Sequence, residues 1–444
     1  MKYALFFIVL FLALGPAAGA TSYLVLPDGS GDFPTIQAAL DVASNGDEVV
    51  LGDGVFLGAG NRDLVCRYKA ITIRSQSNSP EVCTIDCEAS YSERHRGIVF
   101  TESSSATLLG ITIRNGRTAD PPYPDTAWDG AGAAVLCWDA LPTIEHCVFL
   151  ENRGAWGGAV AACRCTGPQI SDCLFEDNQQ GGVTIGGCDY PSLEHCIFRN
   201  SAVSSGGSEI EVRDCEFSDH DHIALSCSHY TPSASYTVAG CRFHDNRGTP
   251  LQASGGATGA ISNCTFLNNV SNFGGAMVLD GGFVGTVSHC LMYGNSVTGR
   301  GGAVDCWRAT VVFSNCTIAF NSAAGGAAGI DCGIGAVTIE HTIIAFSSIG
   351  SAVSGNATLA CADLFGNAGG DWGGDIAPQY GVNGNLSADP LFCDGEAGDF
   401  RLERDSPCAP GADTDCGLIG ALPVGCGSTP TRVVSWGRAK SLFK

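Results

Sequence analysis

The sequence predicts an all-β chain wound as a single-stranded right-handed parallel β-helix, a solenoid closed at its start by a short capping helix. Three observations carry that expectation. The unit Cys-x-Phe-x-x-Asn occurs at Cys147/Phe149/Asn152, Cys173/Phe175/Asn178, Cys241/Phe243/Asn246 and Cys264/Phe266/Asn269, with degraded copies at Cys196, Cys215, Cys290 and Cys316. Successive cysteines of this series lie 26, 23, 19, 26, 23, 26 and 26 residues apart, a self-similarity that marks a repeat architecture. The chain of 444 residues has 60 glycines and only 15% charged residues, which suits many short strands joined by tight turns.

The elements follow in order. Residues 1–20 have the three parts of an export signal: Lys2, an apolar run over residues 5–14, and the small-residue site Ala18-Gly19-Ala20. The apolar run is shorter than the roughly 20 residues that cross a bilayer, and no later stretch is apolar enough, so the mature chain is expected to be secreted or surface-exposed. Residues 21–47 read as a cap, with Pro34 opening a helix whose Ile36, Ala39, Leu40 and Ala43 share one face and Asn45-Gly46 closing it. Residues 48–426 are the solenoid and its closing coil, roughly 14 rungs at the usual strand spacing. Residues 427–444 form a linker and a basic, aromatic tail, read either as a disordered end or as a sorting or anchoring signal.

One coil cannot bury its apolar face alone, so coils must stack and like positions must form columns. Alternation along a strand sends Cys and Phe of the unit inward and the residue between them outward. The asparagine is expected to take the left-handed turn and to bond its amide along the column. Gly-Gly-Ala at 157–159, 274–276, 301–303 and 325–327 marks a second turn per coil.

A net charge of −22 with a pI near 4.6 leaves no basic patch to release counterions, which argues against nucleic acid. Divalent cations and glycans remain as partners. The 23 cysteines are odd in number, so at least one thiol stays unpaired or pairs between molecules. Most belong to the interior columns; the loop-rich end, with Cys393, Cys408, Cys416 and Cys426, holds the better disulfide candidates.

The stretch Asp28-Gly-Ser-Gly-Asp32-Phe33-Pro-Thr35-Ile36-Gln37 resembles the N-terminal cap of pectin-lyase-like β-helix proteins, pectinesterases among them. The Phe-x-x-Asn and Gly-Gly-Ala elements resemble the repeats of polymorphic outer membrane proteins. The resemblance spans about residues 23–420 and implies the fold; the architecture hosts lyases, hydrolases, esterases and non-enzymatic adhesins. The catalytic blocks of pectinesterases and the paired-aspartate blocks of polygalacturonases are not found, and the chain ends too soon after the repeats for the membrane barrel of the polymorphic proteins.

Candidate sites come from the columns. Two places after the aromatic stand Glu151, Asp177, Asn200, Asp219, Asp245 and Asn268; stacked neighbours such as Asp219 and Asp245 would sit about 5 Å apart, able to hold Ca²⁺ or share a proton. The same pattern suits turn positions that favour Asp and Asn for conformation alone. The densest titratable cluster is Asp219-His220-Asp221-His222, with His229 nearby and His244-Asp245 one coil later. In it Asp219, Asp221, His222 and Asp245 are candidates for catalysis, and Glu151, Asp177, His220 and His244 for ligand binding. His220 stands in an asparagine place and so has an ordinary structural reading as well. The residues before the cysteines, His146, Asp172, His195, Asp214, Asn263, His289 and Asn315, read as a polar outer stripe.

The leading expectation is a non-catalytic β-helix that binds glycans or another surface, including that of a cell envelope, along its lateral face. A lyase or hydrolase acting on acidic polysaccharide is the second, and a purely structural envelope protein the third.

Overall fold

The computed structural model describes residues 20–118, 130–228, 235–256, 258–412 and 415–426. The export signal, His229 and the basic tail therefore lie outside the described residues. What is described is a right-handed parallel β-solenoid of about 12 turns, with few helices. Its strands form three parallel sheets of 14, 14 and 13 members. In one representative coil, Thr143–Glu145 lies in sheet A, Val148–Leu150 in sheet B and Val160–Cys163 in sheet C.

Residues with positive φ mark the corners, and this explains the sequence columns. His146, Asp172, His195, Asp214, Asn263, His289 and Asn315 turn the chain from sheet A to sheet B at φ of 49–54°. Glu151, Asp177, Asn200, Asp219, Asp245 and Asn268 begin the turn from sheet B to sheet C at φ of 45–62°. Asn, Asp and His are enriched in this region because their short polar side chains bond locally. The expectation that the repeat asparagine itself takes the left-handed turn is corrected: the residue before it does so.

The asparagine is freed for another task. The Asn246 N–H and Nδ2 both donate to Asn269 Oδ1 (3.1 and 2.8 Å), while Asn246 Nδ2 also reaches Phe217 O at 3.1 Å. The motif repeats from Asn269 to Asn295 and from Asn295 to Asn321. These amides are buried, so each bond replaces one that water would otherwise have made.

Inside, Phe149, Phe175, Phe198, Phe217, Phe243 and Phe266 stack with ring centroids 4.7–4.9 Å apart. The register carries the column on to Met292 and Ile318. Beside it runs the cysteine ladder, whose thiols donate to the carbonyl two residues back, as Cys147 Sγ does to Glu145 O (3.2 Å) and Cys173 Sγ to Ser171 O (3.1 Å). After Cys316 the place passes to Thr342, whose Oγ1 donates to Glu340 O at 2.8 Å. A small buried side chain with one short-range donor is what the site requires, and either residue supplies it.

Both ends are closed by a glutamine. From α1 (Ile36–Val42), Gln37 Oε1 accepts from Val65 N–H at 2.9 Å and its Nε2 donates to Val65 O at 3.2 Å. From the 3-10 helix Gly374–Gln379, Gln379 does the same to Leu359 N–H (2.8 Å) and Ala357 O (2.7 Å). The side-chain amide stands in for the missing next strand, which blunts an edge that would otherwise recruit another chain.

The closing segment departs from expectation. Instead of adding a last coil, residues 387–412 and 415–426 turn back along the outward face of sheet B. Ala421 N–H donates to Thr317 Oγ1 (2.9 Å), Gly420 N–H to His341 O (2.7 Å), and Phe400 packs on Tyr293 with centroids 4.8 Å apart. Ile343, Leu402, Cys408 and Ile419 form a second apolar core beneath this strap. Two disulfides hold it: Cys361–Cys416 ties it to the last rungs and Cys393–Cys426 closes it on itself. Cys408 is not bridged but buried, its Sγ donating to Asp363 Oδ2 at 3.2 Å, while Cys361, which the spacing did not single out, is.

Candidate functional site

The sequence-derived candidates separate into four environments. Glu151 and Asp177 stack on adjacent rungs and are exposed at their turns, Asp177 accepting from Asn200 Nδ2 at 2.9 Å. Asp219 and Asp245 stack likewise and are exposed, but Asp245 Oδ2 bonds His244 Nδ1 at 2.7 Å. His220 faces the interior, 3% exposed, and takes a rung of the asparagine ladder: its Nε2 accepts from Ser201 N–H (3.2 Å) and its Nδ1 meets Asn246 Oδ1 (2.8 Å). A ring with both nitrogens engaged inside the coil offers nothing to a surface ligand, so its candidacy for ligand binding is withdrawn. Burial pushes its pKa down, in keeping with a neutral ring that must accept at Nε2. Asp221 and His222 do reach a surface feature. With Arg247, Thr249 and Phe273 they line an open concavity of about 450 Å³ on the corner between sheets B and C.

The sequence does not single out Glu216, which completes a cluster with the candidates His244 and Asp245, nor a second cluster as a whole. On the outward face of sheet B, Glu216 replaces the Val148, Leu174 and Ile197 of earlier rungs and is buried against the same apolar stripe. His244 Nε2 lies 3.2 Å from Glu216 Oε1 and its Nδ1 2.7 Å from Asp245 Oδ2. Burial alone would pull its pKa down, but the two carboxylate contacts outweigh this and hold it raised.

The second cluster lies on the outward face of sheet C, on the rungs just beyond the concavity. The register pairs Val278 with Asp305 and Asp305 with Asp331, and alternation sends Asp280, two places on from Val278, to the same side. Asp305 is 4% exposed, and burial, with Asp331 and Asp280 adding to it, holds its carboxyl above the usual range against the pull of Arg300. Burial also raises Asp280. Arg300 Nε lies 3.0 Å from Asp305 Oδ1 and 3.8 Å from Asp331 Oδ1, and Asp331 Oδ2 accepts from Ser354 Oγ (2.6 Å) and Ala327 N–H (3.2 Å). The guanidinium lies 4.8 Å from the Trp307 ring centre and 5.8 Å from that of Phe273. Gly301, at φ 70°, lets the chain turn tightly between Arg300 and Val304: a Cβ there would come within 2.5 Å of Val304 O.

A signal for this cluster was present in Val304-Asp-Cys-Trp307 and Ile330-Asp-Cys-Gly333. With Cys306 and Cys332 inward, each preceding aspartate must point out, and 26 residues of spacing stack the two. Among the described residues, no group of three or more His, Cys, Asp or Glu side chains converges as a metal cage.

The family model described as "Right handed beta helix region" matches residues 60–217 and 201–360. The chain belongs to that family. No curated protein matches this β-helix chain in sequence. Among solved structures it is similar to the catalytic unit of a GH87 alpha-1,3-glucanase from Streptomyces thermodiastaticus, at 13% identity and a TM-score of 0.55, covering 84% of this chain and 71% of that one. It is also similar to tailspike protein 3 of bacteriophage CBA120 (11% identity, TM-score 0.46, 79% of this chain and 55% of that one). A PL6 family alginate lyase gives 12% identity, a TM-score of 0.48 and coverage of 91% and 59%. At these identities the likeness is one of fold. Among the described residues no helix is long and apolar enough to cross a membrane.

Proposed function

We propose that this β-helix protein binds a neutral glycan along the outward face of sheet C. One observation carries the reading: Trp307 and Phe273, 38% and 50% exposed, flank the Arg300 guanidinium, which in turn reaches the carboxylates of Asp305 and Asp331. Exposed rings offer stacking surfaces to the apolar faces of sugars, while carboxylates and a guanidinium fix hydroxyl groups. The likeness in fold to a GH87 alpha-1,3-glucanase agrees with a glycan as the ligand class. Three carboxylates on a chain of net charge −22 favour a neutral chain over a polyuronate, since like charges repel at close range. The test is affinity electrophoresis against α-1,3-glucan, xylan, alginate and pectate. Retardation by a neutral polymer, weakened about tenfold by Trp307→Ala, is expected. Free migration in all four, or retardation untouched by Trp307→Ala, would overturn the reading.

The raised carboxyl of Asp305 favours a second reading, hydrolysis of the bound glycan. Asp305 would give its proton to the glycosidic oxygen as the bond to the anomeric carbon breaks and the Asp331 carboxylate, its neighbour on the next strand, adds to that carbon; water would then displace Asp331, its proton returning to Asp305. New reducing ends that vanish in Asp305→Asn, with binding kept, are the expected result; no reducing ends from any polymer leaves a binding protein.

A further inference from the structure

The concavity between sheets B and C opens on the corner loops of three successive rungs, at Asp221-His222, Arg247-Thr249 and Ser271-Phe273. The sheet register places these loops in order along the solenoid axis: their strands begin at Leu225, Leu251 and Met277, and the acidic centre follows on the rungs of Val304 and Ile330. Phe273 belongs to both regions, lining the concavity and lying 5.8 Å from the Arg300 guanidinium that pairs with Asp305. Concavity and centre are thus one continuous track. Its inner wall is also suited to hydroxyl groups, because Ser226, Gln252 and Ser254 point outward on the sheet C strands beside it, continuing the polar run that Thr184 and Ser204 begin on the two rungs before, whereas the first rungs carry Val99, Leu136 and Ala161. On a chain so rich in acid, Arg247 is an exposed cation for which no ion pair is present among the described residues.

From these observations we infer that the concavity is an extension subsite of the glycan site. It takes the sugar units that lie toward the N-terminal end of the solenoid from Asp305, with Phe273 as the stacking surface at the junction and Arg247 and Asp221 as hydroxyl partners at the far end. The inference rests on the glycan reading of sheet C and sharpens it: the ligand is a linear chain lying parallel to the solenoid axis. From the rung of Asp221 to that of Asp331 are four strand spacings, roughly 19 Å, which is room for a short oligosaccharide rather than a single sugar. A ligand crossing the rungs at right angles would meet only the acidic centre.

The experiment is a chain-length series. Affinities of the mature protein for α-1,3-gluco-oligosaccharides and xylo-oligosaccharides, from disaccharide to hexasaccharide, are measured by calorimetry for the wild type, Arg247→Ala, Phe273→Ala and Trp307→Ala. Wild-type affinity is expected to climb with length. Arg247→Ala, an exposed change that does not touch the centre, should leave disaccharide binding as it was and remove most of the gain at tetrasaccharide and beyond. Phe273→Ala should remove roughly three- to tenfold at those lengths. Trp307→Ala should weaken every length alike. A length dependence that Arg247→Ala and Phe273→Ala both leave intact, or binding already complete at disaccharide, would overturn the extension subsite while leaving the glycan reading standing. Failure of every oligosaccharide to bind the wild type would instead sink the glycan reading, and the subsite with it.

Discussion

The outward faces of sheets B and C are built on the same rungs by the same alternation, yet they meet solvent differently. Sheet B covers its outer residues at both ends of the run. On the early rungs Val148, Leu174 and Ile197 pack on one another, and on the late rungs the strap covers Thr317 and Ile343. Sheet C leaves its late rungs open and places there a buried aspartate, an arginine and an exposed tryptophan. The difference teaches that the ladders inside the coil supply stability for both faces, which frees one face to carry groups that cost stability. Burial of the Asp305 carboxyl on the outward face is such a cost.

The contrast can be broken most severely from inside. Asn269→Ala would strand the N–H and one Nδ2 hydrogen of Asn246 and the carbonyl of Phe243, so a loss of about 3–5 kcal/mol in urea unfolding is expected, whereas Trp307→Ala, which removes a partly exposed ring and its contact with Arg300, should cost no more than about 1–2 kcal/mol. Equal losses from the two would erase the distinction between scaffold and working face.

Next in size is the strap. Removing the Cys361–Cys416 bridge, which closes 55 residues of chain, should cost about 2–4 kcal/mol, read as faster hydrogen exchange at Ala421 and Gly420 while sheet C is unaffected.

The strap should also respond to pH. Burial pushes Asp363 up to about 7, and it accepts from Ala388 N–H and the Cys408 thiol of the strap. Because the folded value lies above the unfolded one, the docked strap is favoured while Asp363 is protonated. The penalty grows as pH rises from about 4 through 7, by at most roughly 4 kcal/mol. Asp363→Asn should flatten that dependence in exchange measurements between pH 4 and 8; an unchanged slope would place the effect elsewhere.

The smallest expected effect sets two histidines against each other. His220, lowered by burial, stabilises the ladder while neutral, and that contribution is lost as pH falls below its ordinary value near 6.5. His244, raised by Glu216 and Asp245, stabilises sheet B while charged, and its contribution is lost as pH rises through its raised value. His220→Asn should therefore protect against acid below pH 6 with little change at pH 8, by thermal unfolding.

Much of this was legible in the letters. Cys-x-Phe-x-x-Asn identified the inward columns of Cys147, Phe149 and their successors, because a period of two and a fixed coil length leave no other face for them. The acidic columns were read as turn residues or as sites, and the positive φ at Asp219 and Asp245 explains their chemistry by conformation. The aspartates of sheet C were within reach of the same rule, since Asp305 and Asp331 precede inward cysteines. In the letters alone, one aspartate per coil looks like any other polar outward residue until its burial is known.

By itself, the sequence determined whatever repeats: coil length, inward and outward positions, and the residues that can take a left-handed turn. All of these follow from local geometry copied rung after rung. Only the tertiary structure decided which face stays open. The contacts responsible, Leu418 O with Asn315 Nδ2 and Ala421 N–H with Thr317 Oγ1, join residues more than 100 positions apart and leave no periodic trace. Burial at Asp305 and the nearness of Phe273 to Arg300 are likewise set by how separate rungs and their loops pack, a property no single repeat contains.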